Sequence, residues 1–270
     1  MKRKIMIGLA VIILLAARTA AQTDPKIVQE LINRGIIFLE QEKFDFALDE
    51  FNEALKLEPG NGTVKSYIAV TYSYRGDAYR RKNDYDKAVA DYNTALRTDP
   101  GFNNAKEGLF EIYLARGGRY HREKNYDRAI AEYRLAKNSG GDINIAWLNS
   151  FAEVYIDRGK GYYDNKDYDR AITDFLEANK INSYMGVNNL YNAYQRRGLE
   201  YINKGNFDRA ISDFSEAIKL DSTSASCYIN RGVAYSRKGD KTTAIADWEQ
   251  ALKIEPNNAT AKNNLASARN

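Results

Sequence analysis

The sequence predicts an all-α fold, a solenoid of six stacked helical hairpins, on three observations. An Arg-Gly pair recurs six times, with glycines at positions 35, 76, 117, 159, 198 and 232. Counted from each Gly, Ala stands at +12 and +19 and an aromatic residue at +16 in all six copies. Within each copy, the small and apolar residues keep a three-to-four spacing on either side of a short polar break. A many-position pattern that returns in this way is the mark of a stacked-repeat protein. Such a protein buries surface between neighbouring repeats rather than in one large core, so a chain of 270 residues needs no division into separate cores.

Each element follows from periodicity and punctuation. In the first repeat, Leu31, Gly35 and Phe38 share a face of one helix, and Ala47, Phe51 and Ala54 share a face of the next. In the second, Tyr72, Gly76 and Tyr79 precede Ala88, Tyr92 and Ala95, and Lys82-Asn83-Asp84 breaks the pattern between them. Asp84 is placed to cap the second helix, and Asp86 lies in its first turn, where Asp45, Asp127, Asp169 and Asp208 recur. The later second helices carry Ala129, Tyr133 and Ala136; Ala171, Phe175 and Ala178; Ala210, Phe214 and Ala217; and Ala244, Trp248 and Ala251. The small residues let paired helices approach closely, and the aromatics fill the space beside them.

The repeats run over about 25–59, 61–100, 102–141, 143–183, 184–222 and 223–256. Successive glycines are 41, 41, 42, 39 and 34 residues apart, and the extra residues precede the first helices of repeats two to five. Phe102, Ala105, Leu109 and Ile112 keep a helical spacing, as do Ile143, Trp147, Phe151 and Val154. These stretches therefore read as extensions of the first helices, about 10 Å or two turns long. Residues 257–270, with Ala259, Ala261, Leu265, Ala266 and Ala268, read as a helix capping the last repeat.

The pattern resembles the tetratricopeptide repeat, a helix–turn–helix unit of 34 residues. The closing Pro of that family is present as Pro59, Pro100 and Pro256, whereas Gly141, Ser183 and Ser222 stand in the other copies. The resemblance implies a right-handed α-solenoid that binds proteins through the concave surface of its first helices. The long first helices resemble those of kinesin light chain repeats. One departure is systematic: the family places an apolar residue before the Gly, and this chain has Arg34, Arg75, Arg116, Arg158, Arg197 and Arg231. Fifteen residues after each Gly stands an acid, Glu50, Asp91, Glu132, Asp174, Asp213 or Asp247. We expect each Arg to reach one of these acids across neighbouring helices, a fork that fixes register rather than a binding site.

Residues 1–21 differ from the rest. Lys2, Arg3 and Lys4 precede an unbroken apolar run from Ile5 to Ala17, then Thr19, Ala20 and Ala21. The run is shorter than the roughly 18–20 residues of a bilayer span, and its flanks fit a secretory signal cut near Ala21. An uncleaved N-terminal anchor is the rival reading and the only membrane contact expected. Either way residues 22–270 are expected outside the cytosol, in the periplasm or secreted, with a bacterial envelope preferred. The chain holds 40 basic and 36 acidic residues, and the leader holds four basic and no acidic ones, so the remainder is balanced at 36 of each. A nucleic-acid partner, which needs a basic footprint, is not expected. The single Cys227 forms no internal disulfide.

Little in the sequence suggests catalysis. With His121 as the sole histidine, a metal cluster of histidines cannot be assembled. The glycines follow the repeat and form no phosphate or dinucleotide fingerprint. No enzyme activity, metal or cofactor is expected. The inner face of the first helices offers Ile32, Ile36 and Leu39 in repeat one, Tyr163 in repeat four, Gln195, Leu199 and Ile202 in repeat five, and Ile229, Asn230 and Val233 in repeat six. Repeats two and three offer Tyr74, Arg80, Arg81, His121 and Arg122, a basic, polar spot suited to an acidic side chain or a terminal carboxylate, although a solvated cluster at the helix ends is the simpler reading. The Lys/Asn/Arg clamp of chaperone-binding relatives is absent: Ile32, Ile36, Tyr74, Glu111 and Ala115 occupy one equivalent window, and Leu114, Gly118, Asp157, Asn192 and Arg196 another. The expected function is a scaffold that binds a protein or peptide. A periplasmic solute-binding or transport-accessory protein, with a ligand held near Tyr74 and Tyr163, is the alternative.

Overall fold

The computed structural model describes residues 24–269, and the leader predicted at residues 1–21 lies outside them. The described residues form helices joined by short turns. In chain order these are α1 Pro25–Glu40, α2 Phe44–Leu57, α3 Gly62–Arg81, α4 Tyr85–Thr98, α5 Asn103–Arg122, α6 Tyr126–Ser139, α7 Ile145–Asp164, α8 Tyr168–Ile181, α9 Val187–Asn203, α10 Phe207–Leu220, α11 Ala225–Lys238, α12 Lys241–Ile254 and α13 Ala259–Arg269. The first twelve make six pairs, one per predicted repeat, and α13 follows the last. First helices α3, α5 and α7 are 20 residues long and α9 is 17, against 14 for α11, so the spare residues of repeats two to five do lengthen helices. Helices α5 and α7 begin later than their apolar spacing suggests, and α5 leaves Phe102 outside it. Asn144 caps α7 by accepting from the Trp147 N–H at 3.0 Å, which leaves Ile143 outside it. Gly186, in the left-handed region at φ 81°, starts α9.

The turn inside each pair has one construction. Its seventh residue after the Gly is left-handed: Glu42 (φ 54°), Asn83 (61°), Lys124 (58°), Lys166 (62°), Gly205 (72°) and Gly239 (99°). The next residue caps the second helix. Asp167 and Asp240 each accept from the backbone N–H three residues on at 3.1 Å. Asn125 and Asn206 do so at 3.4 Å and Asp84 at 3.5 Å, whereas Lys43 supplies no side-chain cap to α2.

The described residues fall into two compact units, residues 24–115 with 134–142 and residues 116–133 with 143–269. In the first, Ala47, Phe51 and Ala54 of α2 pack with Val28, Leu31 and Ile32 of α1 and Val64 and Ile68 of α3. A second cluster joins Ala69, Ala88, Tyr92 and Ala95 to Ala105, Leu109 and Ile112. In the second unit, Phe175 packs with Leu190 and Ala193, Phe214 with Ala234, and Trp248 with Ile229, Ala225 and Ala261. The last contact makes α13 a lid on the sixth repeat.

The repeated Gly answers directly to the aromatic sixteen residues on. A Cβ built at Gly35 would lie 2.5 Å from Phe51 Cε1, and one at Gly232 would lie 2.6 Å from Trp248 Nε1. The other four copies put the same ring within 2.7–3.1 Å. The helices of a pair approach until ring meets backbone, a contact any side chain would prevent.

Candidate binding surface

All six Arg–acid pairs form, each inside its own repeat. Arg75 grips Asp91 with two bonds of 2.7 Å, Arg158 grips Asp174 at 2.8 and 2.6 Å, Arg197 grips Asp213 at 2.9 and 2.7 Å, and Arg231 grips Asp247 at 2.9 and 2.8 Å. Arg116 meets Glu132 at 3.0 Å, and Arg34 reaches Glu50 through Nε and Nη2 at 3.0 and 2.8 Å. The other guanidinium arm reaches back one repeat. Arg75 Nη1 donates to Asp45, Arg158 Nη1 to Asp127, and Arg197 Nη1 to Asp169 at 2.6 Å. Each acceptor is the first-turn acid of the preceding second helix. Hydrogen bonding to Asp91 and Asp174 holds the Arg75 and Arg158 guanidiniums above even their usual high range. In the sixth repeat Arg231 donates instead to Ser215 Oγ at 3.0 Å, and Lys238 takes Asp208 at 2.6 Å.

These arginines also lie over rings of their own helices, Arg75 over Tyr72 at 5.2 Å and Arg231 over Tyr228 at 5.5 Å. A parallel series in repeats two to five sets a base of the second helix over the Tyr three after the Gly: Lys87 over Tyr79 at 5.3 Å, Arg128 over Tyr120 at 5.6 Å, Arg170 over Tyr162 at 4.5 Å and Arg209 over Tyr201 at 5.6 Å. Repeat one replaces that pair with two rings, Phe38 and Phe46, 5.5 Å apart. The arginines before the glycines therefore belong to the framework.

The candidate binding residues divide by environment. Arg80 is tied to Glu111 and, at 3.6 Å, to Asp77. Asp77 in turn accepts from the Tyr92 hydroxyl at 2.6 Å and from Asn104 at 3.1 Å. Burial, then this bond, pushes the Tyr92 phenol above its ordinary 10. His121 Nε2 lies 3.0 Å from an Asp157 oxygen. Arg81 stands 3.9 Å from Glu42 with both side chains exposed, and Arg122 is exposed as well. Tyr163 stands edge-on to Tyr168 at 5.3 Å, and Leu199 and Ile202 lean on the cluster of Phe214. Asn230 is half-buried, and the inner-face candidates Ile32 and Ile229 are core residues, 6% and 7% exposed.

Tyr74 and Arg81 come together in the first unit. They line one cleft of about 380 Å³ with Leu39, Glu40, Glu42, Phe44 and Asp77. Tyr74 is 48% exposed. Across Phe44 and Arg81 lies a second cleft of about 460 Å³, which also reaches Phe46 and Arg75. Clefts of the same type recur in the second unit, beside Arg158 and Asp127 and beside Arg197 and Asp169, at about 560 and 330 Å³. The one at repeat one differs in carrying Phe46 where the second helices of repeats two to five carry a base. Glu42, Phe44 and Asp77 were not marked by the sequence pattern; two aromatics two residues apart at the start of α2, Phe44 and Phe46, were the available signal.

Paired helices, a Gly seated on an aromatic ring and an Arg joining successive repeats define an α-solenoid of helical hairpins. Family models described as tetratricopeptide repeat match residues 69–102, 152–184 and 225–258, and one described as TPR repeat matches residues 198–239. The chain belongs to the tetratricopeptide repeat family. Among solved structures it is similar to the TPR domain of Arabidopsis OM64, with 27% identity over 45% of this chain and 97% of that one and a TM-score of 0.34. It is similar to the second TPR domain of human RPAP3, in complex with an HSP70 peptide, at 24% identity over 44% and 98%, TM-score 0.34. It is also similar to the TPR2AB domain of yeast Sti1, from a complex with pHSP90, at 18% identity over 91% and 100%, TM-score 0.36. No curated protein matches the chain significantly.

Proposed function

We propose that this chain is a non-enzymatic scaffold that binds a protein or peptide segment, and that the Tyr74–Arg81 cleft is where it does so. The observation that carries this is a difference of degree within one unit: Arg75 and Arg80 are hydrogen-bonded to carboxylates, while Arg81, 62% exposed, stands 3.9 Å from Glu42 and presents its cation, with the Tyr74 ring, to an open cleft. Tyr74 and Phe44 offer apolar walls to a side chain, and Arg81 offers donors to a carboxylate or carbonyl beside it. Aromatic and arginine side chains are the types that most often dominate binding energy at such surfaces. The leader further supports a place outside the cytosol, in a bacterial envelope, with the working chain starting near Gln22.

The test is recovery of partners from envelope extracts by the chain from Gln22, followed by mass spectrometry. A protein recovered near stoichiometry and lost on Tyr74→Ala and on Arg81→Glu is the expected result. Recovery that neither substitution changes would remove the cleft from the account. N-terminal sequencing of the protein from the extracytoplasmic fraction tests the location, with Gln22 expected as its first residue.

A further inference from the structure

Repeat one is built like an internal repeat yet has none before it among the described residues. The position eight before the Gly is Ile68, Leu109, Phe151, Leu190 and Ser224 in repeats two to six, all 2–9% exposed, whereas Ile27 in repeat one is 49% exposed. The Arg side chain is 20–26% exposed in repeats two to six and 56% exposed at Arg34. Arg34 bonds Glu50 through Nε and Nη2, which leaves Nη1 without the second carboxylate that Arg75, Arg158 and Arg197 have. The outer face of α1 therefore lacks both an apolar neighbour and an acid.

That face supplies both to itself. Ile27, Glu30, Arg34 and Ile37 are spaced three, four and three apart, which places them on one stripe of α1, and all four are exposed. Ile37 is 52% exposed, and Glu30 makes no side-chain hydrogen bond among the described residues. The stripe reads the same from either end with the charges exchanged. Laid antiparallel on a second α1, it sets Ile27 against Ile37 and Glu30 against Arg34, each pair twice, as a two-fold interface requires. We infer that two copies of this chain associate through α1, with Glu30 of one copy taking the Arg34 Nη1 of the other in place of the missing first-turn acid. The basic leader, which has no acidic residue, does not offer Arg34 that partner. A single helix pair buries less than the roughly 800 Å² per partner of a standard interface, so association falls in the micromolar range or weaker. This surface is separate from the Tyr74 cleft and does not depend on it.

The test is sedimentation equilibrium of the chain from Gln22, which retains every described helix, between about 5 and 500 μM. A monomer–dimer equilibrium is expected. Glu30→Arg and Arg34→Glu should each weaken it at least tenfold, because each sets like charges opposite one another. An equimolar mixture of the two variants should dimerise again. One chain then carries two arginines along the stripe and the other two glutamates, so every facing pair is once more opposite in charge. Ile27→Asp should weaken every combination. Glu30→Arg removes no side-chain bond within the chain, so it keeps the test readable if Arg34→Glu lowers stability, with circular dichroism reporting the fold. A wild-type chain that stays monomeric throughout, single variants that dimerise undiminished, or a mixture that stays monomeric would each overturn the inference.

Discussion

Arg197 of α9 donates its Nη1 to Asp169 in the first turn of α8 at 2.6 Å, a bond that runs back from one repeat into the one before. Its other two nitrogens hold Asp213 of its own second helix at 2.9 and 2.7 Å. One side chain thus fixes both the pairing inside a repeat and the stacking between repeats. Planar donors in a fixed fork permit this, and the single ammonium of Lys does not.

Breaking the fork should cost most where it is buried. The Asp174 side chain is 4% exposed and its partner Arg158 is 24% exposed. Asp174→Ala leaves that guanidinium with Asp127 alone, and about 2–4 kcal/mol of stability should be lost in urea unfolding. The exposed Arg34–Glu50 pair should yield less than about 1 kcal/mol on Arg34→Ala. Equal losses at the two sites would show that burial does not govern the ladder.

The turns were built for strain in four places and relieved in two. Lys166 and Lys124 sit at φ 62° and 58°, where Gly205 and Gly239 sit in later repeats. Lys166→Gly should stabilise the chain by about 0.5–1 kcal/mol, because the left-handed conformation costs a side-chain-bearing residue roughly 1–2 kcal/mol and the entropy loss of Gly offsets part of the gain. Asn83→Gly should gain less, since Asn tolerates this region. Lys43→Asp should add about 1 kcal/mol by giving α2 the cap that its equivalents already have. Thermal unfolding of the three variants checks the ranking, and a loss of stability for Lys166→Gly would refute it.

The framework was legible because it is periodic, and the surface was not because it is made of exceptions. Gly, Ala and aromatic spacings located all six helix pairs, and the Arg–acid spacing located a bond that forms six times. The second arm of the fork was hidden although both halves were in view. Asp45, Asp127 and Asp169 read as first-turn acids favoured by the helix dipole, and only the stacking of repeats shows that Arg75, Arg158 and Arg197 reach them. Arg80 and His121 looked like free charges because their partners, Glu111 and Asp157, lie 31 and 36 residues away on other helices. No local pattern reports such pairings.

The tight glycines should separate sharply from the loose ones. Gly35→Ala would place a Cβ 2.5 Å from Phe51, whose ring is fully buried and has no room to withdraw. A loss of about 2–3 kcal/mol is expected, the upper part of the range for overpacking. Gly62 opens α3 with nothing within 4 Å of its missing Cβ, so Gly62→Ala should be neutral or slightly stabilising. Urea midpoints for the two variants decide the matter, and similar losses would mean that helix propensity rather than the ring sets the requirement.

Acid should loosen the second-helix caps before it touches the apolar packing. The Asp167 carboxylate is held below its ordinary 3.8 first by the Arg170 side chain and then by the Arg170 backbone N–H. Asp240 is lowered in the same way by the Thr243 hydroxyl and backbone N–H. A carboxylate depressed in the folded state contributes stability that is present above its unfolded value and lost as pH falls through the folded one. The loss therefore begins as pH drops below about 4 and grows as it falls further. Asp167→Asn isolates this effect, because Asn206 and Asn125 already cap their helices with the same amide oxygen. The variant should melt close to the wild type at neutral pH and fall less steeply between about pH 5 and 3. Melting curves that stay parallel over that interval would show that the Asp167 charge plays no part in acid stability.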